Sequence, residues 1–256
     1  MQGIVRYLKI RKRSITVVSL SLFLIGCAVY HPQMTDIPLI DHKGDLRIDV
    51  GASLIPSVYS TLSYGLTKNI ALQAFGSIGI EHRHYLQVSP GYYKCFGNNK
   101  VIELYSGFGW GYANTIKNPL ANMPEAIRQS LHGKYQVYFV QFNWGKKGNQ
   151  SGDMDWGFGI KTGLFHSNLT DENYYEINSE TGPYPFLKEN SILLEPMMFF
   201  RTGRKNVKFS YKFGLTRVFK LTNQKNYIPA PFINIGFGVN FTPKTSNQTS
   251  KIISNE

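Results

Sequence analysis

Residues 207–218 read Val207-Lys208-Phe209-Ser210-Tyr211-Lys212-Phe213-Gly214-Leu215-Thr216-Arg217-Val218, and their order decides the fold. Val207, Phe209, Tyr211, Phe213 and Leu215 share one face, while Lys208, Ser210, Lys212, Gly214 and Thr216 share the other. A period of two yields two chemically distinct faces only in an extended strand. The stretch 229–241 repeats the pattern, with Ile233, Ile235, Phe237, Val239 and Phe241 against Asn234, Gly236, Gly238 and Asn240. Working outward, the same alternation delimits about ten segments: 45–53, 57–66, 69–79, 82–95, 100–113, 134–145, 153–166, 190–202, 206–218 and 229–241. Most exceed the roughly 5–6 residues of a soluble strand and match the roughly 9–11 of a tilted membrane strand. The expected fold is all-β: an antiparallel, up-and-down transmembrane β-barrel of about ten strands.

Side-chain volume says which face points inward. Gly107, Gly109, Gly111, Gly157, Gly159, Gly163, Gly214, Gly236 and Gly238 sit on the polar face, as a narrow lumen requires. The opposite choice would crowd ten rows of Phe, Leu, Ile and Trp into a space that a barrel of this size does not provide. In this register Arg47, Asp49, Glu103, Asp155, Lys161, Glu195, Arg201, Lys208 and Lys212 face the lumen, where they are expected to form a structural charge network. On the outer face Tyr64, Tyr92, Trp144 and Trp156 fall near one end, and Trp110 and Tyr112 near the other. These are the expected aromatic girdles. Pro90 and Pro196 interrupt predicted strands, so both are expected to be bulges unless those strands are misassigned.

The links alternate in length. Thr67-Lys68, Gly97-Asn98-Asn99, Lys146 to Gly152 and Gly203-Arg204-Lys205 are short turns, whereas 114–133, 167–189 and 219–228 are long. Long links at one end and tight turns at the other match outer-membrane barrels, whose long loops face outside. Lys68, Lys146, Lys147, Arg204 and Lys205 then line a basic periplasmic rim. The link 167–189 is acidic and carries Tyr174, Tyr175, Tyr184 and Phe186, a surface suited to an external ligand. Residues 124–131 are expected to form a helical turn within 114–133.

The first 27 residues carry a second signal. Arg6, Lys9, Arg11, Lys12 and Arg13 precede the apolar run Ile15–Ile25, which is too short to span a bilayer but fits the core of a secretory signal. These five bases lie in a segment without acids, so the formal charge of +12 falls to +7 without them and gives little support to nucleic-acid binding. With two cysteines, Cys27 and Cys95, no zinc site or disulfide framework is available, and no cofactor is expected.

The tetrapeptide Leu24-Ile25-Gly26-Cys27 resembles the lipobox of bacterial lipoproteins, which implies cleavage before Cys27 and a diacylglyceryl group on its thiol. Together with Pro38-Leu39-Ile40, Lys43-Gly44-Asp45-Leu46-Arg47, the hairpin 62–72 and Gly91-Tyr92-Tyr93-Lys94, it makes the chain resemble the small, porin-like outer-membrane β-barrel proteins of Gram-negative bacteria that carry a lipoprotein-type signal. The end of the last segment, 234–241, is similar to the signal read by the barrel-assembly machinery. The resemblance implies a signal peptide over 1–26, a lipid-anchored tether over 27–44, a barrel over 45–241 and a polar tail over 242–256. Outer-membrane lipids and the barrel-assembly and lipoprotein-sorting machineries are the implied partners, with Cys27 held in the periplasmic leaflet.

Three functions fit this scaffold. The first is a non-enzymatic barrel with a largely filled lumen and external loops for surface interaction or envelope structure. The second is a barrel enzyme modifying lipid A or phospholipid, for which His82, His84 and His166, with Ser167 and Asp171 or Glu172, are the available groups. The third is a periplasmic, lipid-anchored, lipocalin-like carrier with an apolar cavity. The first accounts best for the inward glycines and charges.

Overall fold

Alternation of apolar and small or polar side chains becomes, in the computed structural model, a single sheet closed on itself. The structure describes residues 30, 33–80, 82–114, 131–148, 153–171, 186–204, 206–221 and 233–243. The strands are β1 (Leu46–Ser53), β2 (Ser57–Gly65), β3 (Ile70–Gly79), β4 (His84–Phe96), β5 (Lys100–Asn114), β6 (Leu131–Lys146), β7 (Asp155–Asp171), β8 (Phe186–Arg204), β9 (Val207–Leu215), β10 (Arg217–Lys220) and β11 (Ile233–Phe241). Each pairs antiparallel with its neighbour, and β1 pairs with β11 as well as β2, so the sheet has no free edge. β9 and β10 both pair with β8 in one register, Met197 opposite Gly214 and Leu194 opposite Arg217. They form one stave interrupted at Thr216, and the barrel has ten staves, as the sequence predicts.

Pro90 and Pro196 are not bulges. Between β4 and β5, Val88 pairs with Phe108 and Gly91 with Tyr105, so the register is the same on both sides of Pro90. The β8 ladder onto β9 and β10 likewise keeps its register across Pro196. Each proline removes one amide donor and opens the ladder locally, while its other neighbour stays in continuous register. The expected boundaries differ most at one end. β6, β7 and β8 run on to Leu131, Asp171 and back to Phe186, so parts of the predicted long links 114–133 and 167–189 are strand. Of the predicted helical turn over 124–131, Leu131 is the first residue of β6 and the rest lies outside the described residues.

Short turns (66–69, 97–99, 147–154 and 205–206) lie at one end, and the links 54–56, 80–83, 115–130, 172–185 and 221–232 lie at the other. The turn at Gly97–Asn99 works because Asn98 and Asn99 take left-handed backbone angles (φ 63° and 57°), which asparagine tolerates better than most residues.

The inward face is less polar than expected. Tyr59, Phe75, Tyr85, Tyr135, Val137, Phe139, Phe165, Leu169 and Leu193 form an apolar cluster inside the half of the barrel nearer the long links. Charged and amide side chains occupy the other half and the middle, together with two smaller apolar clusters around Val101, Met197 and Phe199 and around Ala71, Tyr93 and Tyr105. The glycines create the room for these rings. A Cβ on Gly109 would lie 2.0 Å from the Tyr85 hydroxyl, one on Gly91 2.2 Å from the Tyr105 ring, and one on Gly111 2.4 Å from the Tyr135 ring.

Candidate functional site

Within the stretch 27–44 expected to be a tether, the described residues up to Ile40 lie inside the barrel. Tyr30 and residues 33–40 are buried, with Tyr30, Thr35, Leu39 and Ile40 at 0% exposure. Its described residues run through the lumen from the short-turn rim into the half nearer the long links. Tyr30 packs edge-on against Tyr135 and Phe165, at 5.7 and 5.2 Å between ring centres, in the half nearer the long links. Met34 then lies over Gly214 and Gly236, Ile37 over Gly159 and Leu39 over Gly145, each glycine having room for that side chain and little else. At Leu39 the backbone turns through a left-handed conformation (φ 53°). Asp41 leaves the lumen beside Lys147, just beyond the end of β6. A turn through Gly44 (φ 84°), whose amide donates to the Gly65 carbonyl at 2.7 Å, then feeds the chain into β1.

All nine predicted lumen charges are buried inside the barrel. Lys212 pairs with Asp49, Lys208 with Asp155 at 2.6 Å, and Lys161 with Glu195 at 3.3 Å. Lys161 also donates to Gln87 Oε1 at 3.0 Å and stands 4.7 Å from the centre of the Phe139 ring. The wall set holds five bases and four acids, and the thread evens it with Asp36. The Arg201 guanidinium donates to Asp36 Oδ1 at 2.6 Å and to the Ile37 carbonyl, Lys212 lies 3.4 Å from the same carboxylate, and Asn240 donates to its other oxygen at 3.3 Å. Sequence reasoning missed Asp36, which meets Arg201, Lys212 and Asn240 of the wall.

The other wall acids also hold the thread. Glu195 accepts from the Tyr30 hydroxyl at 3.1 Å and from the Gln33 amide at 3.4 Å. Glu103 accepts from the Ile40 amide at 2.8 Å and from Asn143 at 3.0 Å. Gln73 donates to the Asp36 carbonyl at 3.0 Å, Lys212 to the Met34 carbonyl at 3.2 Å, and Ser77 to the Gln33 side chain at 2.8 Å. Among the described residues the thread forms no ladder with the barrel, so side chains take over the role that strand neighbours play elsewhere. Among the described residues, Arg201 Nε and Nη1, Asp49 Oδ1 and Asp155 Oδ2 are buried without a protein partner.

Where the thread leaves the lumen, Asp41, Asp45 and Lys147 form a clamp, with Arg47 adding positive charge nearby. Burial favours the neutral form of Asp41, but its bond with Asp45 and the Lys147 ammonium outweigh this and hold its carboxyl well below the usual range. Asp45 is pushed up by burial and by the neighbouring Asp41 carboxylate. Lys147 is pushed down by burial and by Arg47. Asp41, His42 and Asp45 stand close enough to share a metal ion, yet Lys147 already supplies the cation at Asp41.

The outer face is apolar. Val58, Leu62, Leu86, Leu104, Val140, Phe158, Leu164, Phe200, Phe209 and Phe237 are each more than two-fifths exposed. All six predicted girdle aromatics point outward. Tyr64, Tyr92, Trp144 and Trp156 lie toward the short-turn end, where the two tryptophans meet edge-on at 5.1 Å, and Trp110 and Tyr112 lie toward the long-link end. Soluble monomers rarely expose an apolar area of this extent, whereas a barrel in lipid requires one.

The residues considered for catalysis do not converge. His166 points outward and bonds Asn190 at 2.7 Å, while the next residue, Ser167, is buried on the inner face. Neighbours along a strand cannot meet on one side of the sheet. His84 stacks on Tyr112 at 5.8 Å, and Glu172 lies outside the described residues.

A closed ten-stave barrel with an apolar exterior defines a transmembrane-type β-barrel, here with part of its own chain inside. Similar solved structures are the KdgM porin, both alone and in complex with disordered oligogalacturonate. Each is 11% identical, has a TM-score of 0.33, and aligns over 78% of this chain and 99% of that one. Another is the translocator domain of autotransporter NalP from Neisseria meningitidis, at 10% identity and a TM-score of 0.36 over 94% of this chain and 97% of that one. No family model and no curated protein sequence matches the chain.

Proposed function

We propose that this protein is a non-enzymatic outer-membrane β-barrel lipoprotein, anchored through lipid on Cys27, whose lumen is closed by its own N-terminal segment. The long links at one end serve surface interaction or envelope structure. The observation that carries this reading is the pairing of an apolar exterior with a thread bound on all sides by wall charges. A carrier needs its interior free for a ligand, and here Tyr30, Ile37, Leu39 and Ile40 occupy it. Outer-membrane lipids cover the exposed belt, with the outward Trp and Tyr residues at the two interfaces. The barrel-assembly and lipoprotein-sorting machineries would build and deliver the protein.

Membrane extraction of the Cys27→Ser variant tests the proposal. The barrel is expected to stay in the membrane pellet through alkaline washing and to run as a compact, heat-modifiable species on unboiled gels. Release into the soluble fraction once the lipid is removed would identify a lipid-anchored soluble carrier and refute the membrane barrel. Mass spectrometry of wild-type protein from membranes is expected to find acylated Cys27, and an unmodified thiol would refute the lipoprotein part of the proposal.

A further inference from the structure

We infer that the lipid on Cys27 enters the membrane at the long-link end of the barrel, with the N-terminal segment threaded through the lumen between the anchor and β1. This rests on the lipoprotein reading for the lipid and on the thread alone for the direction. The sequence suggested the reverse, a tether joining β1 to a lipid on the short-turn side.

Direction follows from the order of contacts. Asp41 sits at the short-turn rim with Lys147, and the chain then runs inward through Ile37 and Met34 to Tyr30, which packs on Tyr135 and Phe165. From Phe165 to the start of β7 at Asp155 the strand descends ten residues. At about 3.4 Å per residue and a tilt of about 45°, that corresponds to about 24 Å of barrel height. Cys27 precedes Tyr30 by three residues, which span at most about 11 Å when fully extended. The anchor therefore cannot reach back to the short-turn rim, whereas at the opposite end the start of β6 at Leu131 is four residues from Tyr135, about 10 Å by the same measure, and the end of β7 at Asp171 six residues from Phe165, about 14 Å.

Assembly is constrained as a result. Tyr30, Leu39 and Ile40 fill the lumen at 0% exposure, leaving no path for a diacylglyceryl group through the finished barrel. The acylated terminus must take its place before the seam between β1 and β11 closes around the thread. Once closed, the thread is fixed at both ends, by lipid on one side and by the covalent start of β1 on the other.

The test compares three full-length proteins in cells, each with one specific protease site flanked by short Gly/Ser spacers. The sites lie between Ala28 and Val29, after Ser179 in the link 172–185, and after Gln150 in the turn 147–154. Protease is added to intact and to permeabilised cells, and heat-modifiable mobility confirms that each barrel has folded. The site at Ala28 is expected to share the accessibility of the site at Ser179 and to differ from that at Gln150. Because the comparison is internal, it holds whichever end faces outside. Sharing the accessibility of Gln150 would overturn the inference. A single-residue probe, Val29→Cys with Cys95→Ala and an impermeant maleimide, is expected to give the same side. Metabolic labelling with an alkyne fatty acid reports separately on Cys27, so absence of lipid would refute the lipoprotein reading while the protease pattern still decides the direction.

Discussion

Replacing Asp36 with alanine removes the one carboxylate through which the thread meets three wall side chains at once, Arg201 at 2.6 Å, Asn240 at 3.3 Å and Lys212 at 3.4 Å. Breaking a buried ion pair by deleting one partner costs about 3–5 kcal/mol, because the other charge is left uncompensated. Two features place this case at the low end. Lys212 keeps Asp49, and Arg201 keeps the Ile37 carbonyl. A cost of about 3 kcal/mol shifts the docked-to-undocked equilibrium about 100-fold, at about 1.4 kcal/mol per factor of ten. The assay is hydrogen exchange of residues 33–40 in lipid nanodiscs, read as protection against exchange. Asp36→Ala is expected to lose about two orders of magnitude of protection there, with the barrel strands unchanged. Asp36→Asn, which keeps an acceptor, is expected to lose less. The double variant with Arg201→Ala is expected to fall short of additivity by about 0.5–3 kcal/mol, as contacting residues do. Protection within threefold of wild type in Asp36→Ala would refute the claim that this carboxylate holds the thread.

Gly109→Ala places a Cβ 2.0 Å from the Tyr85 hydroxyl and is expected to cost about 1–3 kcal/mol, read as a lower temperature for loss of the compact gel species. Val140→Arg, an outward substitution near the middle of β6, is expected to destabilise folding into vesicles by about 2–4 kcal/mol in urea titrations, against about 0–1 for Trp156→Arg near an interface; equal costs would contradict the membrane placement. The Asp41–Lys147 clamp has a pH window. Asp41 is held below its ordinary value, so its contribution is complete above the unfolded carboxylate pKa of about 3.9 and is lost only as pH falls through the still lower folded value. Lys147 is pushed down, so the pair weakens on the alkaline side before the ordinary lysine value of about 10.4. In a His42→Asn variant, which removes the imidazole 2.8 Å from Asp41, hydrogen exchange of residues 40–45, corrected for intrinsic rates, is expected to be flat from pH 6 to 8, with the loosening from Asp45, which is pushed up, on the acid side; loosening toward pH 8 would contradict the assignment. Purified wild-type protein is expected to show no large, steady conductance in planar bilayers, because wide channels appear at about 16–18 strands.

Strands, register and the inward or outward sense of each face were legible because a two-residue period leaves one register that suits both lipid and lumen. The thread was not legible, for a physical reason. A segment enclosed on all sides has no solvent face and therefore no alternation, so residues 33–41 read as a linker with two prolines nearby. Two signals were available. Tyr30, Met34, Ile37, Leu39 and Ile40 are too apolar a set for a solvated tether, and the wall bases outnumber the wall acids by one, a mismatch that Asp36 closes. The inner aromatics were missed because Tyr59, Tyr85, Tyr105 and Tyr135 share a face with Ser, Thr and Gly, and tyrosine suits either surroundings. The glycines beside them marked their positions, since a ring lying across a strand needs a neighbour with no side chain. Neither proline requires a bulge or a strand break, because a missing donor inserts no residue and the ladder opens and resumes in register.

The most direct test of the occupied lumen is a disulfide between Met34→Cys and Gly236→Cys in a Cys95→Ala background, formed in native membranes without purification. Met34 Cγ lies 3.1 Å from where a Cβ on residue 236 would stand. The account predicts rapid, near-complete oxidation and recovery of the linked 34–236 peptide by mass spectrometry after digestion. Two free thiols that a small, membrane-permeant reagent labels independently, with no linked peptide, would show that the N-terminal segment lies outside the barrel and would contradict the account.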